Sequence, residues 1–402
     1  MKTMKNNETQ TIEFIYDNNK DRCNCIEESN YGYKYIATSL DSDEVFTDLL
    51  SASQPKSIYN RSKKELICYG GKCTLLKRAI VIPNSYELFL APWKADGLFS
   101  YPDAEIRKDW KTWFPTAHNA SVDKVSGNIK NEINADRFSG TINLLDKSIK
   151  FIIKNHEDAN NYWHWTFEWL PRLIILKDLA KKNKLFKNII LINIGDEMNS
   201  FQKEWIELIL KGMGNIKYES YKSPILCENL LWITPPFPAH HDKDMITAIK
   251  NQMLSDQIEK TNNDCEYPKR IYLLRGEARN GRRIINENEL IKKLSRLGFK
   301  AMKMDGLTVR KQAEIFSRAD IIVGAHGSAF VNMVFCKQSC KILELFGPGY
   351  MSGHDYSLAY MNELQWKYMK GDAVDEKPNF LSDFYIDPEE IKKEIEGMIR
   401  GF

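Results

Sequence analysis

The sequence predicts an α/β protein whose second half forms a parallel, doubly wound sheet. Between residues 269 and 346, short apolar runs rich in β-branched residues alternate with segments of helical periodicity at compact spacing. The chain has 402 residues, which is enough for two ordinary domains. Hydrophobic residues make up 43% and charged residues 28% of it, and this composition is typical of a globular protein rather than a disordered one.

The first half gives weaker signals. Residues 1–150 mix short apolar runs with polar, turn-rich stretches, and we expect substantial β content there. Residues 165–186 predict a helix that begins or is interrupted at Pro171. A buried strand, an amphipathic helix, a strand that ends in prolines and a polar connector helix are then expected at 187–194, 201–214, 227–236 and about 243–260.

The second half is clearer. Residues 269–275 predict a strand, and Asn286 with Glu289 predicts a capping box at the start of the following helix. The next elements are a short strand, a helix opened by Thr308, a strand that ends at Gly324, a loop with a short helix, and the strand 341–346. In such a sheet, ligands bind outside the carboxyl ends of the strands.

His326 lies in a turn of small residues, directly after the strand that ends at Gly324. Small side chains let an anion approach backbone N–H groups, and a helix N-terminus favours negative charge. The imidazole adds a hydrogen-bond donor. A tight turn chosen for packing and capped by the histidine is an equally good interpretation of this loop alone.

Arginines follow one neighbouring strand, and a glutamate lies near the end of another. Guanidinium groups suit a diphosphate because they present paired donors and stay charged, whereas the alternative is a solvated basic loop. Glu344 in the strand 341–346 is typical of a residue that holds ribose hydroxyls, or is a paired carboxylate at the strand edge. We expect Arg275 and His326 to face the same crevice, because they end two strands of one sheet. The arginines are Arg275, Arg279, Arg282 and Arg283.

His164 and Glu168 are four residues apart and lie on one face of a helix, among several aromatic residues. Apolar surroundings predict a raised pKa for the glutamate and a lowered pKa for the histidine, which suits a general base. An aromatic core helix with one satisfied histidine is the stronger interpretation of this segment alone. Asp41 with Asp43, and the pair at 240–241, are predicted to be solvated positions rather than metal ligands.

Taken together and in order, these motifs resemble glycosyltransferase family 61. The resemblance rests on N-Y-x-H-W-x-x-E-x-L-P-R-L, Y-x-x-R, R-R-I-x-N-E-x-E-L and V-G-x-H-G-x-x-x-x-N, and it covers about residues 155–370. It implies a GT-B fold, in which two Rossmann-like domains face a cleft. It further implies an inverting transfer from a nucleotide-sugar, expected to be a UDP-sugar, to a hydroxyl of a glycan or glycoconjugate, with no metal cofactor.

The resemblance also implies roles for individual residues. His164 and Glu168 are assigned to catalysis, one of them as the base, with Asn161 and Arg172 supporting that segment. Glu344 is expected near the nucleoside. The loop departs from the family's common G-P-H-G-A-G at Ala325, Ser328 and Ala329, and all three residues are small. The remaining donor-binding residues are expected to be Arg275, Arg282, Arg283, His326, Gly327, Ser328 and Asn332.

The predicted organisation has four parts. An N-terminal, acceptor-side domain occupies 1–242, β-rich in its first part and Rossmann-like in its second. A connector helix at 243–265 leads to a nucleotide-sugar-binding, Rossmann-like domain at 266–385. The C-terminal helix within 386–402 is expected to pack back on the N-terminal domain.

The net charge and the hydropathy of the chain limit the classes of partner that we expect it to bind. The net charge of +3 is too small to indicate a nucleic-acid partner. The chain contains no apolar run of membrane-spanning length and no secretory signal, so we expect a cytoplasmic protein that reaches any membrane-bound acceptor peripherally. The oligomeric state is left open. The alternative function is a non-catalytic glycan-binding or scaffold protein with a degenerate glycosyltransferase fold.

Overall fold

The computed structural model describes strand residues and Pro83 within the first 90 positions, and most of the chain after residue 142. The later described residues are 143–182, 186, 188–213, 216–223, 225–233, 243–254, 267–275, 281–379 and 381–400. The chain divides into two compact units. Unit 1 comprises Met1–Ile36 and Asn60–Pro238, and unit 2 comprises Ala37–Tyr59 and Ala239–Phe402.

The main sheet of unit 1 has a parallel centre. Strands β10, β11 and β12 pair in parallel, β13 is parallel to β10 on its other side, and β7 and β3 continue the sheet in antiparallel fashion. The described strands of the first 233 residues are β1 Lys5–Asn6, β2 Thr9–Gln10, β3 Cys23–Glu28, β4 Lys34–Ile36, β5 Tyr59–Asn60, β6 Glu65–Ile67, β7 Lys72–Val81, β8 Leu88–Leu90, β9 Asn143–Leu144, β10 Ile149–Lys154, β11 Ile190–Ile194, β12 Lys217–Tyr221 and β13 Ile225–Ile233.

Strand β10 was not expected from the sequence, because two lysines interrupt its apolar pattern. Both are buried, and each is held by hydrogen bonds. Lys150 bonds Asp146 and Ser148, and Lys154 donates from Nζ to Asn160 Oδ1 at 2.7 Å. The strand is therefore buried like its neighbours although its composition is mixed.

The helical segment after β10 changes its winding, with an extended residue, Asn161, between its first two parts. It consists of a 3-10 helix Glu157–Asn160, α1 Tyr162–His164, a π-helix Trp165–Trp169 and α2 Leu170–Lys182. Pro171 thus lies two residues after the end of the π segment, inside the helix that the sequence predicted to begin or break there. The last described helix of unit 1 is α3 Ser200–Leu210.

Unit 2 contains a parallel sheet with the strand order β15-β14-β16-β17-β18. The chain proceeds from β14 to β15 on one side and then crosses to β16 on the other, so the direction of winding reverses between β14 and β16. The strands of this sheet are β14 Arg270–Leu273, β15 Phe299–Met302, β16 Ile321–Ala325, β17 Lys341–Phe346 and β18 Gln365–Lys370. A separate antiparallel pair consists of β19 Asp372–Ala373 and β20 Phe384–Tyr385.

Helices connect these strands as the sequence predicted. Thr308 is confirmed as an N-cap, because its Oγ1 accepts a hydrogen bond from the Lys311 N–H at 3.1 Å. The α/β class with a parallel sheet is consistent with a Rossmann-like fold, whereas the GT-B arrangement and the domain boundaries stay predictions. The helices are α4 Lys243–Leu254, α5 Glu287–Ser295, α6 Val309–Arg318, the 3-10 helix Ser328–Phe335, α7 His354–Met361 and α8 Pro388–Arg400.

The predicted capping box at Asn286 is wrong. Its side chain makes no cap hydrogen bond to α5. The amide instead bonds the backbone of Ile386 twice, donating from Nδ2 to the carbonyl at 2.8 Å and accepting from the N–H at 3.2 Å. Asn286 therefore ties the start of α5 to the segment that leads into α8.

Helix α8 packs within unit 2, which corrects the expectation that its apolar face returns to the N-terminal domain. Ile391, Ile395 and Met398 are fully buried in the same core cluster as Leu290 and Leu294 of α5.

Among the described residues, no helix combines the length and apolar composition needed to cross a bilayer.

Candidate functional site

Two predicted site residues meet where the winding of the unit 2 sheet reverses. Arg275 follows β14 and His326 follows β16, and these strands pair so that Leu273 lies opposite Gly324. The Arg275 guanidinium donates from Nη1 to the backbone carbonyl of His326. In doubly wound sheets, the crevice at this reversal is the usual ligand site.

Gly327 leaves the space that the arginine occupies. A Cβ added to Gly327 would lie 2.8 Å from Arg275 Nη1. The φ of Gly327 is 174°, which is extended backbone that any residue adopts, so the glycine is needed for space rather than for conformation. On its other side, Arg275 donates from Nε to the carbonyl of Gly281 at 3.0 Å.

Arg282 brings a second guanidinium to this place. Its Cζ lies 4.5 Å from the Tyr350 ring centroid, and that ring lies 5.2 Å from the His326 ring. Arg282 has φ 58°, a left-handed conformation that costs a non-glycine residue about 1–2 kcal/mol. Its buried Nε has no hydrogen-bond partner among the residues that the structure describes. Burial, and then the charge of Arg282, lower the pKa of Arg275 to about 10.

His326 is the third cationic group. Its ring stacks on Phe346 with centroids 5.1 Å apart, and its Nδ1 lies 2.5 Å from Glu344 Oε1 and 3.1 Å from Asp355 Oδ2. Burial alone would lower the pKa of His326, but the two carboxylates outweigh it and raise that pKa to about 10. The ring is therefore an imidazolium at neutral pH, with Nε2 as its second N–H donor.

Glu344 lies beneath the histidine and is fully buried. Its Oε1 contacts His326 Nδ1, and its Oε2 accepts a hydrogen bond from Trp366 Nε1 at 3.0 Å. Burial and the charge of Asp355 raise the pKa of Glu344 to about 8. Both carboxylate oxygens have partners inside the protein, so the structure places Glu344 as a support of His326, whereas the sequence placed it beside a nucleoside.

Three further predicted residues lie around this cluster rather than in it. Arg283 is 65% exposed and pairs with Asp383 at 2.8 Å. Asn332 is fully buried and donates to Gln312 Oε1 at 2.7 Å, so it holds the 3-10 helix against α6. Ser328 is the first residue of that 3-10 helix.

The set His326, Glu344 and Asp355 also has the chemistry of a metal site, since its ligand atoms lie within 4.8 Å of one another. Two ligand atoms on one ion, each about 2.0–2.2 Å from it, are normally about 3 Å apart. The 2.5 Å between His326 Nδ1 and Glu344 Oε1 is instead a hydrogen-bond distance. The geometry favours an ion-paired hydrogen-bond network over coordination.

A second histidine and carboxylate pair lies in unit 1. His164 Nδ1 is 2.6 Å from Glu168 Oε1; the glutamate is 6% exposed, and the histidine side chain is 25% exposed. The π-helix carries Glu168, and Asn161 caps the segment by accepting from the Trp163 N–H at 2.8 Å. π segments occur often at functional sites.

The pKa of His164 differs from the predicted direction. Burial does lower it, as expected for an aromatic environment, but the hydrogen bond and charge of Glu168 and the charge of Asp158 outweigh the burial. The net result is a raised pKa. The two directions of the pKa shift differ because the sequence shows the apolar neighbours of His164 but not its direct hydrogen bond to Glu168.

Arg172 lies in α2, which continues directly from the π-helix. It is buried, and its Cζ lies 4.3 Å from the Trp232 ring centroid and 4.9 Å from that of Trp169. Within the described part of the chain, its Nε and Nη2 have no hydrogen-bond partner, and burial lowers its pKa to about 9. Stacking on aromatic faces is the interaction that holds this guanidinium.

Sequence reasoning missed Asp355 and Tyr350. Asp355 is in the first turn of α7, where an acidic residue is ordinary, and no spacing links it to His326. Other positions weighed from the sequence lie outside the described residues: Asp41, Asp43, His240, His241 and Arg279.

Comparison with known proteins finds a family match for the central part of the chain. Residues 162–343 match the family described as Glycosyltransferase 61, which confirms the predicted resemblance, supports membership of that family and points to a glycosyltransferase. No curated protein matches the sequence. Aspartate transcarbamoylase from Trypanosoma cruzi, solved in complex with phosphate, aligns at 10% identity over 66% of this chain and 95% of its own, with a TM-score of 0.13 that carries no argument.

Proposed function

On the premise that this chain is a member of glycosyltransferase family 61, we propose that it is an inverting, metal-independent glycosyltransferase. Its donor is a nucleotide-sugar, expected to be a UDP-sugar. Its acceptor is a hydroxyl group of a glycan or glycoconjugate.

The convergence of three cationic groups carries this proposal. Arg275, Arg282 and His326 come together at the carboxyl ends of β14 and β16, around the small residues of the loop. Paired guanidinium donors and an imidazolium match the charge and the oxygen geometry of a diphosphate. The unpaired Nε of Arg282 supports a ligand there, because a buried donor without a partner is costly.

These cations have a role in the transfer step. As the acceptor oxygen bonds to C1 of the sugar from the opposite face, the bond from C1 to the diphosphate oxygen breaks and its electron pair stays on that oxygen. Arginine and imidazolium donors stabilise the negative charge that develops, the role that a metal ion has in other transferases.

We assign the base to His164 rather than Glu168. Glu168 is nearly enclosed and bonds His164 Nδ1, which fixes the tautomer with the lone pair on Nε2. Nε2 is the atom that takes the acceptor proton, and Glu168 stabilises the imidazolium that forms. The raised pKa of His164 makes it a stronger base than a free histidine.

A binding panel tests the donor site. Thermal shifts with UDP-, GDP-, CMP- and dTDP-sugars are measured for the wild type, Arg282→Ala and the control Arg283→Ala, which removes an exposed arginine paired outside the cluster. We expect one nucleotide class to stabilise the wild type and the control alike, and at least a tenfold loss of affinity in Arg282→Ala, since charged hydrogen bonds contribute about 1.5–3 kcal/mol. Equal binding by both variants contradicts the assignment.

Two further outcomes separate the alternatives. Binding of glycans without binding of any nucleotide-sugar would support the non-catalytic scaffold. Slow hydrolysis of the bound nucleotide-sugar is the expected activity without an acceptor, and we expect the same rate in EDTA. Activity that is lost in EDTA and restored by Mn²⁺ would refute metal independence.

A further inference from the structure

We infer that Asp355 is a positioning residue of the donor site: together with Glu344 it holds the Nδ1 edge of His326 and keeps the ring a cation whose Nε2 is the phosphate donor. The inference rests on the proposed function only in naming a phosphate as the ligand. The state of His326 can be measured without any ligand.

The position of Asp355 leaves it few other roles. It is 1% exposed, and neither of its carboxylate oxygens has a hydrogen-bond partner among the described residues. Its ion-pair contact with His326 Nδ1 at 3.1 Å is what offsets this burial. An uncompensated buried carboxylate would be strongly unfavourable, so the contact with the histidine is essential to its charge.

The two carboxylates cannot both be ionised at low cost, because they are buried together. Burial and the charge of Asp355 raise the pKa of Glu344 to about 8. Burial would also raise the pKa of Asp355, but its interactions with His326 and Glu344 reverse the sign and lower it. Asp355 is therefore the stronger acid of the two, and the imidazolium of His326 lies against both carboxyl groups.

The carboxylates are needed because the surroundings of His326 are cationic. Arg275 bonds its carbonyl, Arg282 lies over the adjacent Tyr350, and His354 next to Asp355 adds a further titratable group. A histidine beside two guanidinium groups would lose its proton unless a negative charge compensated it. A single ionised carboxylate keeps the proton on the ring without cancelling the positive charge of both arginines.

The ring itself is locked in orientation. Phe346 stacks on it, the Tyr350 ring lies with its centroid 5.2 Å from that of the imidazole, and Nδ1 is held by the two carboxylates. The histidine side chain retains 14% exposure. Nε2 is thus the polar atom of the ring that remains for a ligand, and its proton is kept by groups on the opposite edge.

The first measurement is the protonation of His326 in the free protein, by ¹⁵N-detected NMR of the imidazole nitrogens from pH 6 to 8.5. We expect an imidazolium throughout in the wild type. In Glu344→Gln we expect Asp355 to keep the ring an imidazolium, and in the double variant Glu344→Gln/Asp355→Asn, which leaves no carboxylate at Nδ1, we expect the ring to become neutral within this range. A wild-type ring that titrates near 6.5, or a double variant whose ring titrates like that of Glu344→Gln, would overturn the inference.

The second measurement is the affinity for UDP at pH 6 and 8.5, by calorimetry. Relative to Glu344→Gln, the double variant Glu344→Gln/Asp355→Asn should bind similarly at pH 6 and about tenfold more weakly at pH 8.5, because each unit by which the histidine pKa falls below the working pH removes about tenfold of the cation. The matched control is Asp375→Asn, at an exposed position of unit 2. An equal loss at both pH values would make Asp355 merely structural and overturn the inference.

A third arm separates this inference from a cation site and from failure of the proposed function. Metal-free protein is titrated with Zn²⁺ and Mn²⁺; tight binding that Asp355→Asn abolishes would identify a metal site and overturn the inference. If UDP binds neither protein while NMR shows the expected imidazolium, the proposed donor is refuted and the carboxylate pair stands. If UDP binds the wild type but His326 is neutral, the proposed donor stands and the inference about the carboxylate pair is refuted.

Discussion

Gly281 lies where the loop before α5 passes the segment before β20, and it offers a sharp test of the donor-site geometry. Its φ is 58°, in the left-handed region, and a Cβ added there would overlap the carbonyl oxygen of Leu381. The Gly281 carbonyl accepts from Arg275 Nε, and the N–H of the next residue donates to the Leu381 carbonyl at 3.0 Å. Gly281→Ala should therefore disturb both the fold of unit 2 and the aim of Arg275.

The expected cost has two parts. A left-handed φ costs alanine about 1–2 kcal/mol relative to glycine. Displacing the Leu381 backbone costs about 1–3 kcal/mol, the range for overpacking. The matched control is Gly306→Ala, where φ is 82° and nothing lies within 4 Å of the added Cβ, so that only the first cost applies. The difference between the two variants should be about 1–3 kcal/mol.

The assay is urea denaturation followed by circular dichroism, with the free energy of unfolding compared at an unchanged m-value. UDP affinity is measured on the same samples. We expect Gly281→Ala to be the less stable variant and the weaker binder, and Gly306→Ala to bind UDP like the wild type. If the two variants lose equal stability, the close approach to Leu381 and the reasoning from it are wrong.

Three other substitutions test separate parts of the structure. Glu168→Gln should lower the pKa of His164, so the acid limb of the transfer-rate profile moves to lower pH while the plateau falls at least tenfold; an unmoved limb would exclude His164 as the base. Asn286→Ala should cost about 1–3 kcal/mol in urea denaturation by removing two backbone hydrogen bonds, and a loss below 0.5 kcal/mol would contradict their importance. Gly327→Ala should displace Arg275 and weaken UDP binding about tenfold with little loss of stability, and unchanged affinity in calorimetry would argue against that contact.

The elements that the sequence predicted best are those whose signals are local. The strands at Ile271 and Ile322 are apolar runs buried on both faces, and Thr308 caps α6 through its own neighbourhood in the chain. Asn286 is the N-cap residue of α5 as predicted, but the capping box does not form because its amide bonds Ile386, one hundred residues later. Its competing partner could not be read from the helix that follows it.

The candidate site shows the same division. Arg275 and His326 could be brought together from the sequence, because parallel strands end at one edge of a sheet. The role of Glu344 as a support of His326 could not, since it depends on which oxygen faces which nitrogen. Asp355 carries no sequence signal at all, because its importance arises only from the packing of α7 against the 3-10 helix Ser328–Phe335 and β18.

The π-helix Trp165–Trp169 makes the proposed base sensitive to chain length. Its wider turn, closed by the bond from the Leu170 N–H to the Trp165 carbonyl, accommodates one residue more than an α-helix would. Deleting a single residue there would restore α-helical winding and rotate His164 by about 100° around the axis relative to α2. A one-residue length change could thus turn the imidazole away while every residue type of the motif remained, so the placement of His164 depends on spacing as much as on composition.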